Sequence, residues 1–188
     1  DIYAQIADGA YYYGRPSELV GTFSIYRFDE NEWQSLALLS AELQQMGVTL
    51  PWDMTGGAKN VGKFEELIVR KGHVVGVSLA NKKVTGLFPM SLAALSNLEE
   101  IDLSGNNLSG DISSVLAAIK MQNVAAFNNL HTLDLSNNKY HGNVGILGNC
   151  IQNLASLDVS YNKFEDLYPA LPANVVNLDI THQEMERI

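Results

Sequence analysis

The sequence predicts an α/β solenoid, in which short strands stack into a parallel sheet and helices or extended segments return the chain. Three observations carry it. A pattern recurs: Leu98-x-x-Ile101-x-Leu103-x-x-Asn106-x-Leu108-x-Gly110 returns as Leu130-x-x-Leu133-x-Leu135-x-x-Asn138-x-Tyr140-x-Gly142 and as Leu154-x-x-Leu157-x-Val159-x-x-Asn162-x-Phe164. Within each copy the apolar residues alternate, at Ile101-x-Leu103, Leu133-x-Leu135 and Leu157-x-Val159, which gives a short strand one buried and one open face. The equivalent positions Leu79, Leu103, Leu135, Val159 and Ile180 lie 24, 32, 24 and 21 residues apart. A unit of that size has too little core to stand alone, so successive coils must stack.

Taken in chain order, residues 1–31 do not fit the repeat. Tyr3, the Tyr11-Tyr12-Tyr13 cluster and Phe23-Ser24-Ile25-Tyr26-Arg27-Phe28 suggest one or two strands separated by a Gly14-Arg15-Pro16 turn. The segment reads either as an extension or as the end of a preceding domain, its aromatic residues packing on the helix after it or forming a recognition patch. Residues 32–46 place Trp33, Leu36, Leu39, Leu43 and Met46 on one helical face, with Asn31 as the expected N-cap and Gly47 as the stop. Trp52 comes next, leading into the polar loop Thr55-Gly56-Gly57-Ala58-Lys59-Asn60. Phe64–Val69 and His73–Val77 then flank Arg70-Lys71-Gly72, a predicted hairpin. Residues 32–73 thus read as a cap for the open first coil, and 74–188 as about five coils.

Two weaker copies flank the three strong ones. Val74-x-x-Val77-x-Leu79 leads to Val84-x-Gly86 with Lys82 where asparagine is expected, and Val175-x-x-Leu178-x-Ile180 leads to Met185 with Gln183 at that place. Asn106, Asn138 and Asn162 sit where the chain leaves its strand, and a buried amide there can satisfy backbone groups of its own coil and the next. Gly110 and Gly142 come after the turn, where unusual backbone angles are expected. The 32-residue step holds apolar residues at 112, 115, 116 and 119, a helix with Ser113 or Ser114 as N-cap, then a loop through Asn128 and Asn129. The 21-residue step holds Tyr168-Pro169-Ala170-Leu171-Pro172, which suits an extended connection.

On these motifs, residues 74–185 resemble the leucine-rich repeat family. The resemblance implies a parallel sheet on the concave face, short helices and extended turns on the convex face, and ligand binding on the concave side. The order helix, tryptophan loop, hairpin, then the Val84-Thr85-Gly86-Leu87-Phe88-Pro89 coil resembles the N-terminal cap of plant-receptor-type repeats. Such caps usually carry paired cysteines and this chain has one cysteine, so the form found in secreted and surface bacterial proteins is the nearer resemblance.

Composition narrows the function. The 188 residues carry 12 basic and 21 acidic side chains, a net charge of -9, which would repel a nucleic-acid backbone. By segment the charge is -4 over residues 1–72, +2 over 73–97 and -7 over 98–188. Cys150 alone excludes an intrachain disulfide and a cysteine-built zinc site, and it reads as a small buried apolar residue. No apolar run reaches the roughly 18 residues of a membrane span. The first residue is Asp1, with no leader ahead of it, which reads as a processed chain of a secreted or surface protein. No nucleophile elbow, phosphate loop, dinucleotide fingerprint or HExxH run is present, so neither an enzyme nor a cofactor is expected.

The outward strand positions are the candidate site. One row reads Ser78, Asp102, Asp134, Asp158, Asp179, and the next Gly76, Glu100, Thr132, Ser156, Asn177. With strands about 4.8 Å apart, four carboxylates would stand in file and raise one another's pKa values. The file could draw a basic protein surface or a cation, or Asp and Ser could simply bond laterally along the sheet. A further row, Asn81, Gly105, Asn137, Tyr161, His182, offers the side chains best suited to recognition. The candidate binding residues are therefore Glu100, Asp102, Asp134, Asp158, Tyr161, Asp179 and His182, with no metal centre assigned. His73, His131 and His141 read as surface residues. The expected function is docking of a protein, with a glycan as the other ligand class. A structural spacer, end-to-end dimerisation, or an accessory domain of a larger enzyme remain the alternatives.

Overall fold

The computed structural model describes residues 2–7, 10–14, 25–166 and 174–184 of the chain. Among them three strands come first: β1 (Ile2–Ala7), β2 (Ala10–Gly14) and β3 (Ile25–Arg27) form an antiparallel sheet in the order β1-β2-β3. The sequence suggested one or two. The tyrosine segment is the central strand, with Tyr12 paired to Ala4 on one side and Ile25 on the other. Gly14 ends β2, while Arg15, Pro16, Phe23 and Ser24 lie outside the described residues.

The helix α1 spans Glu30–Gln45 and buries Trp33, Leu36, Leu39 and Leu43. Its N-cap is Asp29, not Asn31: Asp29 Oδ1 accepts the N–H groups of Asn31 at 2.8 Å and Glu32 at 3.1 Å. A carboxylate placed ahead of the first turn also suits the helix dipole. Gly47, at φ 88°, ends the helix as expected. The loop beyond is less polar than its sequence suggests. Trp52 is buried and stacks on Phe64 with ring centroids 5.0 Å apart, and Ala58–Lys63 winds into a 3-10 helix.

Strands β4 (Leu67–Arg70) and β5 (His73–Ser78) form the predicted hairpin around Lys71 and Gly72, both left-handed at φ 53° and 84°. Gly72 is obligatory, because a Cβ there would overlap the Arg27 carbonyl. From β5 onward the sheet is parallel: β7 (Glu100–Asp102), β9 (Thr132–Asp134), β11 (Ser156–Asp158) and β13 (Asn177–Asp179) join in turn. The six strands lie in the order β13-β11-β9-β7-β5-β4. Leu79, Leu103, Leu135 and Val159 just past the strands are fully buried in one continuous core.

The other side differs from the expected extended turns. Strands β6 (Thr85–Gly86), β8 (Asn107–Asp111), β10 (Lys139–Asn143) and β12 (Lys163–Asp166) pair in parallel as a second sheet. Each coil leaves its asparagine turn in the same register, so backbone groups that one coil leaves open meet those of the next. Gly110 and Gly142, at φ 100° and 97°, hold the positive angles expected of them. Helix α2 (Ile112–Gln122) fills the long step, but its N-cap is Asp111 instead of Ser113 or Ser114, both of which donate their backbone N–H groups to that carboxylate. Asn128 and Asn129 lie in the turns after α2, as expected. A short helix α3 (Gly145–Cys150) serves the next coil. The Tyr168–Pro172 connection and Met185 lie outside the described residues.

The asparagine ladder forms, but each amide bridges its own coil to the preceding one and not to the next. Asn138 Nδ2 donates to the Leu103, Leu135 and Ser136 carbonyls at 2.9, 3.1 and 3.1 Å, and Oδ1 accepts the Leu108 N–H at 3.0 Å. Asn106 and Asn162 repeat the arrangement. Gln183 reproduces it, Nε2 reaching the Val159 and Ile180 carbonyls at 2.9 and 3.0 Å while Oε1 accepts the Phe164 N–H at 3.0 Å.

Candidate functional site on the open face of the parallel sheet

Strand alternation sends Ile101, Leu133 and Leu157 inward and leaves their neighbours on the open face. The register sets Ser78 beside Asp102, then Asp134, Asp158 and Asp179 in file, and Glu100 beside Thr132. The carboxylates bond chiefly within their own coils, not laterally along the sheet. Each instead accepts the backbone N–H two residues ahead in its own coil: Ser104, Ser136, Ser160 and Thr181, each at 2.9 Å. The hydroxyls of Ser104, Ser160 and Thr181 add bonds at 2.7 Å to the same oxygens. These aspartates therefore close the turn that leaves the strand. One lateral bond exists among the described residues of the file, from Ser78 Oγ to Asp102 Oδ2 at 3.3 Å.

The file is electrostatically uneven. Burial, helped by the flanking Asp158 and Asp102 carboxylates, pushes the Asp134 acid above its ordinary range despite the Ser136 bonds. Asp179 is fully exposed, and the Thr181 backbone and hydroxyl bonds hold it below that range. Among the described residues no three histidine, cysteine or carboxylate side chains gather closely enough to hold a metal ion.

The recognition row has an unexpected backbone. Asn81, Gly105, Asn137, Tyr161 and His182 all stand at left-handed φ, 57°, 65°, 54°, 53° and 57°. Such angles are costly for a bulky residue such as Tyr161. They turn the chain at the end of each strand, and at the last two coils they bring Tyr161 and His182 together. Their rings stack 4.2 Å apart at an interplanar angle of 4°, and Tyr161 is 50% exposed. The structure thus joins Asp134, Asp158 and Asp179 with the Tyr161–His182 pair. Glu100 and Asp102 share the face but stand on β7, two or more strands from that pair.

Sequence reasoning missed the neighbourhood of two histidines it placed on the surface. His73 Nδ1 lies 3.2 Å from Glu32 Oε1 and His131 Nε2 3.8 Å from Glu99 Oε2. Both line one cleft at the entry side of the sheet. Cys150 is only partly buried, which still raises its thiol pKa.

With this geometry in view, the relatives are informative. Residues 97–119 match the Leucine Rich Repeat family. That stretch carries a leucine-rich repeat. No curated protein matches the sequence. Among solved structures, a plant ice-binding protein is 20% identical with a TM-score of 0.62, covering 84% of this chain and 50% of that one. The BIR2 ectodomain from Arabidopsis thaliana is 26% identical with a TM-score of 0.54, covering 72% and 70%. The HAESA ectodomain of the same plant, in complex with an N-terminal extended IDA peptide hormone ligand, is 24% identical with a TM-score of 0.55, covering 80% and 25%. The chain therefore spans half the length of the ice-binding protein and a quarter of the HAESA ectodomain.

Proposed function

We propose that the chain is a non-catalytic binding module that docks a protein with a basic patch on the concave face of a leucine-rich repeat solenoid. Residues 32–73 serve as its N-terminal cap, 74–188 as the repeats, and 1–31 as an extension or the end of a preceding domain. The observation that carries this reading is the in-register file of Asp102, Asp134, Asp158 and Asp179, ending beside the Tyr161–His182 stack. A rigid sheet presents these groups without rearrangement, carboxylates steer a basic partner, and a Tyr shelf supplies desolvated contact area. Glu100 extends the acidic surface. The HAESA ectodomain, of like fold, holds a peptide ligand. The setting is a secreted or surface-exposed protein, bacterial by the lack of paired cysteines around the cap. Among the described residues no helix is long and apolar enough to cross a membrane.

The test uses a lysine- and arginine-rich peptide as probe. Asp134→Asn with Asp158→Asn keeps an oxygen to accept the turn bonds and removes two charges. Affinity for the probe is expected to fall about tenfold or more at low salt. Unchanged affinity would overturn the reading.

A further inference from the structure

A cleft of about 480 Å3 opens where the chain enters β5, β7 and β9, bounded by Arg70, Lys71, His73, Asn97, Asn129 and His131. Its size falls within the roughly 300–1,000 Å3 of small-ligand sites. Its lining shares no residue with the aspartate file or the Tyr161–His182 pair. Arg70 and Lys71 stand on its wall with Glu99, which accepts from Arg70 Nη1 at 2.8 Å and is approached by His131, and a second carboxylate, Glu32, lies behind His73 and Asn97.

The cleft is also held rigid. Glu32, 4% exposed, accepts from the Val74 N–H at 2.6 Å and from Asn97 Nδ2 at 2.7 Å, and lies 3.2 Å from His73 Nδ1. This ties α1, β5 and the Asn97 loop into one frame. Asn129 Nδ2 is anchored on the Ser96 carbonyl at 3.0 Å. Both amides thus spend an N–H on the frame, which leaves their oxygens as acceptors. Lys71 sits at left-handed φ at the hairpin tip, exposed, and has no carboxylate partner among the described residues.

We propose that this cleft binds a sugar acid, a carboxylate carried on a polyhydroxylated ring. Lys71 supplies the charge-assisted donor for the carboxylate, and the Asn97 and Asn129 oxygens accept from ring hydroxyls. A bare carboxylate would satisfy only the cation, and a neutral sugar only the amides. The class is therefore set by having both kinds of group on one wall.

The test is an amide-resolved NMR titration of the full chain with sodium glucuronate, with glucose and acetate as controls. Glucuronate is expected to shift residues around Lys71, His73 and His131 to saturation, glucose and acetate binding at least about tenfold more weakly. Lys71→Asn tolerates the left-handed backbone and should weaken glucuronate about tenfold, while Lys71→Arg restores it. The Asp134→Asn, Asp158→Asn double variant should bind glucuronate like the parent, which separates this site from the open face. No saturable shift at the cleft, equal binding of acetate or glucose, or a Lys71→Asn titration identical to the parent's overturns the proposal.

Discussion

Lys82 Nζ lies 2.8 Å from Glu66 Oε1, at the register where later coils place Asn106, Asn138, Asn162 and Gln183. The first coil has no earlier repeat whose carbonyls an amide could bridge, so the position is free to serve the preceding hairpin. It pairs with a carboxylate only 6% exposed, whose other oxygen accepts from Trp52 Nε1 at 2.9 Å. Trp52 in turn stacks on Phe64, so one ion pair joins the repeats to the segment before them.

Replacing Lys82 with Met should therefore destabilise the protein by roughly 2 kcal/mol at neutral pH, because a buried carboxylate loses its cation. Burial raises the Glu66 acid, but the Lys82 and Trp52 hydrogen bonds more than offset it, holding its pKa below the ordinary 4.5. A lowered folded-state pKa contributes stability above the unfolded value and loses it as pH falls through the folded one. The Lys82→Met penalty should thus shrink toward about pH 3.5, where the unfolded glutamate is protonated. Urea denaturation of both proteins at the two pH values measures this, and a penalty independent of pH would contradict it.

Much of this was legible in the sequence, for a physical reason. Leu103, Leu135 and Val159 recur at spacings that only stacked strands can bury together, so register and the aspartate file come from counting. The second sheet did not, because Asn107–Asp111 and Lys139–Asn143 are polar and glycine-bearing and lack a strand's apolar alternation. The caps were misplaced because Asn31, Ser113 and Ser114 are good cap residues that lose to a nearby carboxylate, Asp29 or Asp111. Row membership of Tyr161 and His182 was legible, but not the backbone angles that stack them. The cleft at Lys71 and His131 draws on separated segments and leaves no motif.

The ladder asparagines should rank by burial. Asn138→Ala removes four bonds, strands the Leu108 N–H in the core, and should cost roughly 3 kcal/mol. Gln183→Ala removes the same pattern beside the exposed strand β13, where water can replace it, and should cost about 1 kcal/mol. Chemical denaturation that found equal losses would show the amides to be interchangeable fillers.

Tyr140 predicts the opposite sign. It occupies the repeat position that Leu108 holds one coil earlier, is fully buried, and its hydroxyl has no hydrogen-bond partner among the described residues. Burial alone drives its phenol far above the ordinary range. Tyr140→Phe keeps the ring and removes the stranded group, so thermal unfolding should show stability unchanged or higher by up to about 1 kcal/mol. A clear loss would mean that the hydroxyl is satisfied by water in solution.

Asp134 sets stability against binding. Its folded-state pKa is raised above 3.8, so the ionised form is penalised at neutral pH and relieved as pH falls through the folded value. Asp134→Asn retains an oxygen for the Ser136 N–H and removes the charge. It should therefore match or exceed the parent's stability at pH 7 by up to about 1 kcal/mol, the difference vanishing below about pH 4. The same substitution should weaken a basic peptide probe. Higher stability with poorer binding would mark the carboxylate as a group kept for its ligand at the expense of the fold. Lower stability at every pH would instead mean that the Asp134 turn bonds outweigh its burial, and would leave the file a structural device.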